Sequence, residues 1–82
     1  MPRTRHVARK RTDRNSIGKT VKRLRNQQNL TQENLAGRAA AVGWNISRDA
    51  VKRIERGERE ITDIELRHLA AALRVPPAIL LD

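Results

Sequence analysis

The sequence predicts an all-α fold, a compact bundle of five short helices preceded by a basic N-terminal arm. Three observations carry that prediction. From Ile17 onward apolar residues recur at three- and four-residue intervals, the period of a helix face, and strand-like alternation is confined to Val42–Ile46. Helix-starting and helix-ending signals fall between these stripes: Ser16, Thr31, Ser47 and Thr62 on one side, Asn29, Gly57 and the break at Val75-Pro76 on the other. Finally, 82 residues without a single Cys leave packed aliphatic side chains as the source of the core, because no disulfide or thiolate metal site can be built.

Residues 1–14 form the arm. Arg3, Arg5, Arg9, Lys10, Arg11 and Arg14 stand there against one acid, Asp13, a net +5 out of +9 for the whole chain. With so little to bury, the segment is expected to be disordered in isolation. It reads either as an arm that follows phosphates or enters a minor groove, or as a solubilising tail.

The folded domain is expected over residues 15–82. Asn15 or Ser16 caps a first helix that runs to about Gln28, with Ile17, Val21 and Leu24 on one stripe. Gly18 permits another helix to approach closely. Arg25 lies at the edge of the stripe, where a partly buried guanidinium needs an acid. Thr31 caps the second helix, whose slim face is Leu35, Ala36, Ala39 and Ala40. Gln32 in its first turn carries an amide able to donate to a phosphate.

Val42, Trp44 and Ile46 read as a hydrophobic plug under the following turn, although Trp44 could instead meet nucleic acid. Ser47 then caps a third helix that ends at Gly57. Its apolar back is Ala50, Val51 and Ile54, and its front is Arg48, Asp49, Lys52 and Arg53. Thr62-Asp63-Ile64-Glu65 has the T-x-x-E form of a capping box and opens a fourth helix with Leu66, Leu69, Ala70 and Leu73 inward. Ile64 falls outside that arc. Pro77 starts a fifth helix, in which Ala78 to Leu81 either seal the core or pair with a second chain.

Composition narrows the function. A net charge of +9 and a pI near 11.6 point to polyanionic partners. Trp44 is the only Phe, Tyr or Trp, too few for a base-stacking sheet. No nucleophile–base–acid set, metal-ligand spacing or glycine-rich phosphate loop occurs, so neither an enzyme nor a cofactor or metal site is expected. No apolar run reaches the length of a membrane span or a signal-peptide core, so a cytoplasmic protein is expected.

Several motifs in order, Leu24-Arg25, Leu30 to Ala36 (LTQENLA), Ile54-Glu55-Arg56-Gly57 and Leu69 to Pro76 (LAAALRVP), resemble the Xre and phage-repressor family of helix-turn-helix domains, lambda-repressor-like and Cro-like. The likeness extends over about Ile17 to Leu81. It implies a five-helix bundle in which the second and third helices form the DNA-binding unit, the third lying in the major groove. It also implies that Gln32 anchors a phosphate, that Arg48, Asp49, Lys52 and Arg53 read bases, and that Arg25 and Glu55 form an internal salt bridge. The turn through Ala41 to Ile46 is longer than the family's usual short turn.

On that reading Arg48 and Lys52 suit guanine edges, while Asp49 either accepts from cytosine or orients a neighbouring arginine. Arg53 could reach a base or a phosphate. Arg56 and Arg59 are candidate phosphate contacts or solvated loop charges. The expected function is a sequence-specific double-stranded-DNA-binding transcriptional regulator, a repressor, acting as a homodimer on a palindromic operator, with Ile64, Ile79 and Leu80 as its dimer surface. The alternatives are an antitoxin-like module that binds a partner protein and its own operator, and a nonspecific nucleic-acid binder working through the arm.

Overall fold

A computed structural model describes residues 14–81, with Arg14 and Asn15 described in backbone only. Its helices are α1 Arg14–Gln27, α2 Gln32–Ala41, α3 Arg48–Glu55, α4 Asp63–Leu73 and α5 Pro77–Leu81, and no strand occurs among the described residues. Arg3, Arg5, Arg9, Lys10 and Arg11 lie outside that range. Arg14 is the first residue of α1, so the helix starts ahead of the expected caps and takes in Asn15 and Ser16. Both are tolerated in a first turn, and no Gly or Pro precedes them closely enough to stop it.

The core is aliphatic. Val21, Leu35, Val51, Ile54, Leu69, Leu73 and Leu80 are its largest fully buried side chains, each contributing about 1.5–3 kcal/mol on removal from water. α1 packs on α3 and α4, α2 packs on α3 and α4, and α5 closes the bundle against α4 and α1. Trp44, Ile46, Ile61 and Val75 add a half-buried margin.

Three expected surface assignments need correction. Leu80 is 1% exposed and belongs to the core, whereas its neighbours Ile79 and Leu81 face outward. In a helix crossing the bundle, only one side of each turn can face inward. Val42 is exposed rather than part of the plug, because the chain leaves α2 there on its solvent side. The expected place of Ala40 on the slim face of α2 fails for the same geometric reason: Leu35, Ala36 and Ala39 are buried, and Ala40 is exposed.

The helix ends follow one scheme. Thr31, Ser47 and Thr62 each accept a backbone N–H at the third helical position, and Asn34 and Glu65 return the bond to complete capping boxes in α2 and α4. At the other ends, left-handed residues Asn29, Gly43, Gly57 and Arg74 reverse the chain and let trailing N–H groups reach the last carbonyls, as Gly57 N to Ile54 O and Glu58 N to Arg53 O do for α3. At Gly18 a Cβ would stand 2.8 Å from the Glu55 carbonyl oxygen and closer still to that of Ile54, so the α1–α3 crossing depends on glycine.

Gly18→Ala therefore forces these two backbones apart. We expect a loss of about 1–3 kcal/mol in urea unfolding; an unchanged midpoint would show that the crossing is looser than described.

Candidate nucleic-acid interface

α3 has only eight residues, too few to persist as an isolated helix. Its existence and its direction both come from the bundle. Val51 and Ile54 are fully buried on its back, Ser47 Oγ caps its start by accepting from Ala50 N at 3.1 Å, and Gly57 ends it. The arrangement leaves Arg48, Asp49, Lys52 and Arg53 together on the exposed front.

Those four side chains do not behave alike. Arg53 Nε lies 3.2 Å from Asp49 Oδ2 one turn earlier, and both side chains are 61% exposed. Such a pair adds little stability, but it turns the guanidinium along the helix. The pair leaves the other Asp49 oxygen available. Among the described residues Arg48, Lys52 and Arg56 have no ion pair. The front thus offers two uncommitted cations and one oriented arginine.

Behind it, Glu55 on the last turn of α3 is buried, 8% exposed, and so is Arg25. Arg25 Nε and Nη2 donate to the two Glu55 oxygens at 2.5 and 3.0 Å, a two-pronged fit of guanidinium to carboxylate. Arg25 Nη1 donates to the Leu30 carbonyl at 2.8 Å. Gln32 Nε2 donates to Glu55 Oε1 at 3.0 Å. The amide has a second N–H, and Gln32 occupies the first position of α2, where backbone N–H groups lack helical partners. Gln32 therefore connects the buried pair to the helix start rather than standing free.

Arg59 is also committed: its guanidinium pairs with Glu65 at 3.1 Å and lies over the Trp44 ring at 5.7 Å. Trp44 packs on His68, the ring centroids 6.0 Å apart, which places it with the margin of the core. No residue pattern signals a second polar network, in which Arg38 Nη1 donates to Gln28 Oε1 and to the Ala72 carbonyl, while Gln28 Nε2 donates to the Leu73 carbonyl. It ties the ends of α1 and α4 to α2. Of the expected dimer residues, Ile64 is 65% exposed and Ile79 lies on the surface.

Among the described residues no group of three or more His, Asp or Glu is placed to hold a metal ion, and no helix is long and apolar enough to cross a membrane. The family profile described as helix-turn-helix matches residues 21–80. Among solved structures the chain is similar to the restriction-modification controller protein C.AhdI from Aeromonas hydrophila, with 31% identity and a TM-score of 0.73, over 83% of this chain and 96% of that one. No curated protein sequence matches significantly.

Removing Arg25 leaves the buried Glu55 carboxylate with Gln32 alone. We expect Arg25→Ala to cost about 3–5 kcal/mol in denaturant unfolding, a large share of the stability of a small domain. A variant that melts like the wild type would remove the pair from its structural role.

Proposed function

This chain belongs to the helix-turn-helix family as a DNA-binding transcriptional regulator, not an enzyme, and from that premise we propose that it is a sequence-specific repressor that reads the major groove with α3. The observation that carries this reading is the uncommitted, exposed pair Arg48 and Lys52 beside the oriented Arg53, on a helix whose back is fixed in the bundle. Arg48 and Lys52 approach guanine O6 and N7, so the site contains G·C pairs. Arg53, aimed by Asp49, takes a neighbouring base or phosphate. The second amide N–H of Gln32 and the guanidinium of Arg56 take backbone phosphates on either side.

Occupying a site is the regulatory act that a bare reading face supplies, which favours repression. The likeness to a restriction-modification controller protein supports a controller role of that kind for this chain. Arg3, Arg5, Arg9, Lys10, Arg11 and Arg14 add sequence-independent affinity along the phosphates. The active form is a homodimer on an inverted repeat, which doubles a short reading face. Ile64 and Ile79 are its apolar surface residues, with Leu80 serving the core instead.

Two titrations separate the roles on the reading face. Arg48→Ala costs about 1–3 kcal/mol on the preferred duplex and abolishes discrimination at one base pair, whereas Arg56→Ala weakens every duplex equally and lowers the salt slope by about 0.9. Equal weakening by Arg48→Ala would make it a phosphate contact. For the assembly, Ile64→Glu is expected to shift sedimentation from dimer to monomer while leaving the circular dichroism of the fold unchanged; a wild-type chain that sediments as a monomer at high micromolar concentration would contradict the dimer.

A further inference from the structure

Trp44 lies in the turn that leads into α3, and Arg59 lies in the loop that leaves it. The guanidinium of Arg59 is 5.7 Å from the centre of the Trp44 ring, within cation–π range. Its two terminal nitrogens donate to the two oxygens of Glu65 at 3.1 and 3.4 Å. Glu65 is held in turn, because its Oε1 accepts the Thr62 backbone N–H at 3.2 Å within the α4 capping box. His68, one turn further along α4, stacks on Trp44 with the ring planes 24° apart. The entry and the exit of the reading helix are thus bound, through side chains, to the first two turns of an element packed into the core.

The fork to Glu65 takes two of the five guanidinium N–H donors and engages the charge, so a phosphate would compete with the carboxylate and the ring for Arg59. Meeting both Glu65 oxygens while lying over the ring uses the planar, two-pronged shape of arginine, which lysine lacks. The six-residue turn Val42–Ser47 has no helix or strand of its own; the Trp44 backbone N–H donates to the Ala39 carbonyl at 2.8 Å, and beyond that its course follows what the Trp44 and Ile46 side chains rest against. We infer that Arg59, Trp44 and Glu65 are positioning residues: they clamp the two loops flanking α3 and set the angle at which Arg48, Lys52 and Arg53 meet the groove, and Arg59 does not contact phosphate. This inference rests on α3 being the base reader.

The test compares affinities for the preferred duplex and for an unrelated duplex, over a range of salt, using the full chain and the variants Arg59→Lys, Glu65→Gln, Trp44→Phe and Trp44→Ala. Glutamine still serves at the third position of a capping box, so Glu65→Gln removes the ion pair and keeps the helix start. Arg59→Lys and Glu65→Gln are each expected to lower the ratio of the two affinities about tenfold, comparable to one base contact, with the salt slope on the unrelated duplex unchanged. Trp44→Phe, which keeps an aromatic face, retains most of the ratio that Trp44→Ala loses. Arg59→Lys that keeps the ratio, or Glu65→Gln that tightens both duplexes by releasing a phosphate-binding arginine, would overturn the clamp while leaving the base-reading role of α3 standing. A wild-type chain with no preference between duplexes would overturn both.

Discussion

The buried ion pair between Arg25 and Glu55 is the constraint on which the rest of the structure depends. A carboxylate on the last turn of a helix faces the negative end of the helix dipole, and burial withdraws it from water as well. Glu55 is held there by three donors, two from Arg25 and one from Gln32, and no buried side-chain nitrogen or oxygen among the described residues lacks a partner. Arg25 contributes a charge suited to the end of α1 and also closes the α1–α2 turn through the Leu30 carbonyl. A pair of this kind adds little net stability over a well-packed apolar substitute. Its effect here is geometric: the end of α1, the start of α2 and the end of α3 have one mutual arrangement that satisfies all the donors.

That arrangement explains how an eight-residue helix can hold the reading surface proposed for it. Gly18 allows the α1 and α3 backbones to come into contact, Val51 and Ile54 fill the space behind α3, and Glu55 fixes its rotation. Only then do Arg48, Lys52 and Arg53 project together. The free energy of the core is thereby converted into side-chain placement, which base recognition requires. Charge does a separate job, since phosphate attraction alone brings a strongly basic chain to any duplex.

Much of this is legible in the sequence because it is local. The stripes Ile17–Val21–Leu24 and Leu66–Leu69–Leu73, and the caps Thr31, Ser47 and Thr62, follow from helix period and hydrogen-bonding chemistry and lie where expected. Gly57 announced its left-handed turn; Arg74, which adopts the same conformation, did not, because nothing about arginine signals it. The need of Arg25 for an acid was visible, but its partner, thirty positions away, came from family resemblance rather than from spacing. The bonds from Arg38 and Gln28 to the end of α4 were invisible for the same reason. α5 is too short for its period to tell Leu80 from Ile79. Arg59 shows that a basic loop residue has no assignable role until the neighbouring carboxylate and ring are in place.

The most direct test of base reading by α3 is selection of bound duplexes from a random pool by the full chain at near-physiological salt. Enrichment of an inverted repeat with G·C pairs in each half, the half-sites about 34–36 Å apart, is the predicted result. A bound pool with no shared sequence would contradict it, and would reduce the chain to a polycation that holds DNA through its charge.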